Sequence, residues 1–253
     1  VSVLLDGLIN IKLLIEFNGK NYFGWQRQKI KPSIQQTIEE SLQVLFPQDK
    51  IKLIGAGRTD TGVHAYGMTA NFKIADESLK IPLALLQRKM NSILPDDITI
   101  LKVQKVSYDF HARYSAKIRC YKYYLSTRKV SIDNDKIYYI KTKFDIDLAK
   151  EFCKLLVGIH SFRSLCKNED DKHDFLSEVF SAEIKKKRNS IYEFTICANR
   201  FLHSMVRAII GAMIKIASGK LELTEFQNKF NKGEQLKIQY VPANALFLYK
   251  ITY

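Results

Sequence analysis

The stretch Gly55-Ala56-Gly57-Arg58-Thr59-Asp60-Thr61-Gly62-Val63-His64-Ala65-Tyr66-Gly67 constrains the chain more than any other. It holds four of the 11 glycines. Glycine costs backbone entropy and is worth that cost where the chain needs a positive φ or a close approach. An apolar run from Ile51 to Ile54 leads in, and Tyr66, Met68, Ala70, Phe72 and Ile74 alternate on the way out. The pattern predicts a tight loop between two strands. Its tip carries a cation and an anion, Arg58 and Asp60. An ionised carboxylate held out from a rigid support is suited to act as a nucleophile or a base. The plainer alternative is a turn aspartate that bonds its own loop, with Arg58 as its ion-pair partner.

With 253 residues the chain can bury one large core or two modest ones. Its 40 Lys+Arg against 26 Asp+Glu leave a formal charge of +14. That excess favours a polyanionic partner, most simply a nucleic acid, although solvated surface lysines give the same number. No apolar run approaches the roughly 20 residues that span a bilayer. The opening Val1 to Ile9 is short, contains Asp6 and lacks a basic leader, so it reads as a loose N-terminus rather than a signal peptide. Cys120, Cys153, Cys166 and Cys197 show no paired spacing, and a reduced, cytoplasmic protein is expected. The five histidines do not cluster, so no metal is expected.

Ile9, Ile11, Leu13, Ile15 and Phe17 alternate as a strand, and Asn18-Gly19 turns it. The segment Asn21 to Gln28 places the only tryptophan, Trp25, beside Arg27 and Gln28. Such a set suits base stacking and phosphate binding; a turn with a core tryptophan is the simpler reading. Ser33 and Gln36 form a possible capping box for a helix ending at Phe46-Pro47. Pro82 starts a second helix, to about Ile93, and Ile98 to Val106 is a strand. From Lys117 a strand sets Arg119, Tyr121, Tyr123 and Leu125 on one face.

Beyond a polar stretch from Ser126 to Phe144, Asp145 caps a helix running toward Gly158. A charged loop, Lys167 to Asp174, reads as solvated. Leu176 to Ala198 reads as a hairpin around Arg188-Asn189. Arg200 to Ser218 reads as a long apolar helix ended by Gly219, with Arg207 embedded in it, then a short helix from Thr224 and a closing strand from Ala245. A guanidinium among apolar residues should meet an anion. The expected fold is α+β, with two similar α/β halves, 1–130 carrying the aspartate loop and 131–253 carrying the arginine helix, and a cleft between their sheets. One carboxylate, arginines and a tyrosine, with no carboxylate pair, no zinc-deaminase motif and no phosphate-binding glycine loop, suit a reaction that neither adds nor removes atoms.

At these residues the chain resembles the TruA-type tRNA pseudouridine synthases. Gly55 to Ala65 resembles that family's signature. Phe17-Asn18-Gly19 with Phe23-Gly24-Trp25-Gln26-Arg27-Gln28 resembles its N-terminal block. Phe110-His111-Ala112-Arg113-Tyr114-Ser115-Ala116, Arg119 to Tyr123, Phe201 to Arg207 and Pro242 to Leu248 resemble its later blocks. The resemblance implies a central mixed, mostly antiparallel sheet, a homodimer, no cofactor, and conversion of uridine to pseudouridine at positions 38–40 in the anticodon stem-loop of tRNA. It puts the catalytic aspartate on Asp60, the base-packing tyrosine on Tyr121, the arginine that pairs with the aspartate on Arg207, and an apolar contact on Leu246. Arg58, Arg27, Gln28 and His64 complete the expected RNA-binding set. The chain departs from the family's pattern at Ala208, at Ala198-Asn199-Arg200 and at His160-Ser161-Phe162. A non-catalytic RNA-binding protein and a uracil-releasing glycosylase are the competing readings.

Overall fold

The computed structural model describes residues 7–167 and 174–253. The expectations of a loose start and of a solvated charged loop fall largely outside them. The strands are β1 (Leu8–Phe17), β2 (Ile54–Gly55), β3 (His64–Ala75), β4 (Ile98–Val106), β5 (Ile118–Ser126), β6 (Tyr138–Tyr139), β7 (Gly158–Ser161), β8 (Leu176–Lys186), β9 (Ile191–Ala198) and β10 (Leu246–Thr252). The helices are α1 (Ile34–Leu45), α2 (Leu83–Ile93), α3 (Ile146–Leu155), α4 (Met205–Ala217) and α5 (Leu223–Asn231). The fold is α+β, its strands mixed but mostly antiparallel, in two compact units of similar build. One unit runs to Lys117 and also takes Leu248–Tyr253; the other is Ile118–Phe247. A division by sequence order at residue 130 therefore differs from the division by packing.

In the first unit the strand order is β4-β1-β3-β10, with β2 on β3. The period-2 pattern of β1 places Ile11, Leu13 and Ile15 opposite Phe72, Ala70 and Met68. These residues are fully buried, as are Ile34, Ile38 and Leu42 of α1 and Leu86 and Met90 of α2. Each of these side chains other than Ala70 contributes about 1.5–3 kcal/mol when taken out of water. The alternate residues of the same strands face the other way, Asn10 and Lys12 opposite Lys73 and Asn71. Ser33 caps α1, its Oγ accepting from Gln36 N–H at 3.4 Å. The Gln36 side chain donates onward to Glu40 instead of back to the cap, so only one arm of the capping box is made.

The second unit orders its strands β5-β9-β8-β7, with β6 parallel to β5. Tyr123 and Leu125 lie opposite Phe194 and Tyr192 and are fully buried. The tyrosine face of β5 is thus core except toward Arg119 and Tyr121. Asp145 caps α3 through Asp147 N–H at 2.9 Å and Leu148 N–H at 3.2 Å. Phe152 of α3 and Phe226 of α5 pack edge to face, their centroids 5.0 Å apart.

Two expectations are corrected in this unit. The long helix begins at Met205, not Arg200, because Ser204 sits in the left-handed region at φ 55° and breaks the helical path. Phe201, Leu202 and His203 therefore lie in the loop before α4. The expectation of four reduced thiols fails for two of them. Cys120 and Cys197 are directly opposite in the β5–β9 register, Cα atoms 4.1 Å apart, and form a disulfide. Sequence spacing hides this pair because strand register creates it. Cys153 and Cys166 are free thiols, both buried.

On the opposite face of β5, Lys122 Nζ lies 3.3 Å from Glu193 Oε2, and Lys187 Nζ lies 3.4 Å from Oε1. Burial pushes the Glu193 carboxyl up, but Lys122, Lys187 and the Tyr124 hydroxyl outweigh it and hold the group below its ordinary 4.5. A lowered folded-state value means stability that is present above the unfolded value and lost as pH falls through the folded one. Urea unfolding followed by far-UV circular dichroism is expected to show the second unit weakening below about pH 5. Glu193→Gln should cost about 1–3 kcal/mol at neutral pH and flatten that acid limb. An unchanged acid limb in the variant would exclude Glu193 as its source.

Candidate active site

The aspartate loop is held by the segment that follows β1. Trp25 is buried, packs against Phe17 with centroids 6.1 Å apart, and fills the space beside Gly55. Its backbone N–H donates to Thr59 O at 3.2 Å. Gly62 N–H donates to Tyr22 O at 3.3 Å, and Val63 N–H to Asp60 O at 3.2 Å. Gly24 makes this approach possible: its φ is 88°, and a Cβ there would stand 2.5 Å from Thr59 O. On the far side of the loop, His64 is buried and its Nδ1 accepts from Gly19 N–H at 3.1 Å, which assigns the ring proton to Nε2.

Helix α1 ties in the rest. The Gln35 and Glu39 side chains are buried. Gln35 Oε1 accepts from Gln26 Nε2 at 2.7 Å and Arg27 N–H at 3.0 Å, while Glu39 Oε1 accepts from Leu53 N–H at 3.0 Å, just before β2. Arg27 Nε donates to Glu39 Oε2 at 2.7 Å. Gln28 is exposed and donates to Phe23 O at 2.6 Å. Within this scaffold Arg58 is exposed, Asp60 is half-buried and Thr59 is buried, its Oγ without a hydrogen-bond partner. The first unit thus brings Arg27, Gln28, Arg58, Asp60 and His64 onto two mutually bonded segments. Trp25, grouped by sequence with the base-stacking candidates, is a core residue that supports the loop.

The second unit carries the other expected residues. Tyr121 is half-buried, and its ring meets Phe201 edge to face at 5.1 Å and 86°. Arg119 Nη1 donates to Asn199 O at 2.6 Å. Leu246 is buried at the start of β10. On α4, Arg207, Gly211 and Lys215 fall four apart, on one helical face. All three meet segment 237–242. Arg207 Nε donates to Val241 O at 2.8 Å, and Lys215 Nζ to Lys237 O at 2.6 Å. A Cβ on Gly211 would collide with Gln239 O, so only glycine lets this segment lie on the helix. Fully buried Tyr123 donates its hydroxyl to Pro242 O at 3.0 Å; burial pushes that phenol up, Tyr138 adds to the shift, and Arg207 opposes it.

The family described as tRNA pseudouridine synthase matches residues 13–115 and 152–253, which include both loops just described. The chain belongs to this family. Family members isomerise uridine to pseudouridine in RNA. A tRNA pseudouridine synthase A from Thermodesulfovibrio yellowstonii is 39% identical over 97% of this chain and 100% of its own length. A namesake from Parabacteroides distasonis is 36% identical over 95% and 94%, and one from Caldicellulosiruptor bescii 35% over 96% and 99%. Among the described residues no helix is long and apolar enough to cross a membrane.

Sequence reasoning passed over two sets of supporting contacts. Phe201 backs Tyr121, and its signal was its place in the Phe201-to-Arg207 block. Gly211 and Lys215 hold the segment on which Arg207 rests; their spacing of four with Arg207 was the available signal. Gly24→Ala should cost about 1–3 kcal/mol because it meets both a positive φ and a backbone oxygen. Gly211→Ala should lower kcat on unmodified tRNA by about tenfold or more by displacing the Arg207 support. Native turnover in Gly211→Ala would show that the segment's position does not matter to the chemistry.

Proposed function

We propose that this chain isomerises uridines at positions 38–40 in the anticodon arm of tRNA, with Asp60 as the catalytic carboxylate. The observation that carries this reading is the placement of Asp60. It is a half-buried carboxylate on a loop whose backbone is bonded from Tyr22, Trp25 and Thr69. A reacting group gains from such fixation because orientation is established before the substrate binds. In this reading Tyr121, steadied by Phe201, packs against the target base, and Leu246 provides an apolar contact. Arg207 is the active-site arginine in this reading. Exposed Arg58 contacts the flipped nucleotide or its phosphate. Arg27 and Gln28 lie along the RNA path, and His64 serves the site by holding the loop.

The chemistry balances without an added atom. The target uridine leaves its stack to reach the carboxylate. The bond from N1 to the ribose carbon breaks, the freed base turns, and C5 bonds to the same carbon. C5 then loses its proton and N1 gains one. Asp60 is suited either to attack the ribose carbon or to move a ribose proton, and both routes use it ionised. We further propose that the protein acts as a homodimer in the cytoplasm, where its tRNA substrate resides.

Asp60→Asn is expected to abolish pseudouridine formation while tRNA affinity stays near wild type, because the amide keeps the shape and loses the charge. Nuclease digestion and mass spectrometry of treated tRNA read the outcome. An isomer of unchanged mass identifies a synthase, whereas an abasic site identifies a glycosylase. Pseudouridine made by the Asp60→Asn variant would sink the assignment. Tyr121→Phe should fold and bind RNA but turn over more slowly, and identical kinetics would show that its hydroxyl takes no part.

A further inference from the structure

The segment from Ser107 to Ser115 is pinned to the first unit by two buried asparagines. Asn10 and Asn71 are each 1% exposed. Asn10 Nδ2 donates to Ser107 O at 3.0 Å and Phe110 O at 2.8 Å. Asn71 Nδ2 donates to Asn10 Oδ1 at 2.9 Å, and Asn71 Oδ1 accepts from Ala112 N–H at 2.8 Å. Buried amides satisfied this fully fix one loop conformation. The loop then closes on itself. His111 Nδ1 accepts from the N–H groups of Arg113 and Tyr114, both at 3.2 Å, and Ser115 Oγ accepts from His111 N–H at 3.1 Å.

This fixed loop presents Tyr114, 77% exposed. The His111 ring packs on it with centroids 4.4 Å apart, and the Arg113 guanidinium lies 5.7 Å from its centroid. A lone solvated tyrosine needs no such backing. A phenol held in water by a rigid loop, with a ring behind it and a cation beside it, has the parts of a stacking platform for a base and its phosphate. The chain's charge of +14 and its family's RNA substrate select that ligand class over an apolar protein surface.

We infer that Tyr114, backed by His111 and flanked by Arg113, is a stacking site for an unpaired nucleotide of the tRNA substrate other than the one being isomerised. The inference rests on the chain's acting on tRNA, but not on the role given to Asp60. Preorganisation is the reason to expect a measurable effect, because the ring is ordered before RNA arrives.

The test measures binding of unmodified tRNA by fluorescence anisotropy at several salt concentrations, together with kcat and KM for pseudouridine formation. Tyr114→Ala is expected to weaken binding and raise KM by about tenfold with kcat unchanged, whereas Tyr114→Phe and Tyr114→Trp stay near wild type. Arg113→Gln should reduce the slope of log affinity against log salt by about one contact. Binding to a fully paired RNA duplex should not respond to Tyr114→Ala. The inference is overturned if Tyr114→Ala matches wild type on tRNA, if duplex binding falls equally, or if Tyr114→Phe loses as much as Tyr114→Ala. A drop in kcat at constant KM overturns it too. Should the wild-type protein bind tRNA but make no pseudouridine, the catalytic reading fails while the binding arm still decides the platform.

Discussion

The contact on which the aspartate loop depends is between two stretches of backbone. Segment 19–25 runs against residues 59–63 closely enough that Gly24 cannot carry a side chain. The loop is therefore positioned by peptide groups, which have no rotamers to lose. A carboxylate supported in this way does not depend on the packing of any one neighbour. The Trp25 indole fills the space beside Gly55, the His64 imidazole adds a bond from Gly19 N–H, and Gln35 and Glu39 of α1 bond each other beside the continuation of the first stretch.

The second unit solves the same problem with a helix. Arg207 sits in a helix of thirteen residues, ten of them buried. Its surroundings would make a loose guanidinium costly. Its Nε donates to the Val241 carbonyl at 2.8 Å, which ties the side chain to segment 237–242. Gly211 and Lys215 extend that contact along the helix, from Val241 back to Lys237. Tyr123 closes the arrangement from the sheet through Pro242.

Strand and helix periodicity carried most of the fold. The alternation of β1 and β3, the Pro82 start of α2 and the Asp145 cap were legible because each is a local signal. What the sequence did not show were effects of register and of backbone shape. Cys120 and Cys197 are separated by 77 residues and meet only because β5 and β9 pair in one particular register. The true start of α4 turned on a single left-handed residue, Ser204, whose identity gives no warning of it. Of the two readings open for Trp25 beside Arg27, the simpler one, a turn with a core tryptophan, holds: the indole is buried and the arginine meets Glu39. Candidate site residues were legible through the long glycine motif and the blocks that share its family; a supporting residue such as Gln35 was not, because an ordinary residue type in an ordinary place carries no chemical signature.

The strand β10 adds an ordering in time. Its residues from Leu248 onward lie beside β3 in the first unit, Thr252 O accepts from Lys117 N–H at 2.8 Å, and the Tyr253 hydroxyl donates to Ala112 O at 2.9 Å. A ribosome delivers β1 to β4 long before it delivers these residues. The first unit therefore waits without the β10 partner of β3 while the second unit is synthesised, and an exposed edge is a site of mispairing. The unit that carries Asp60 is the first to be made and the last to be completed.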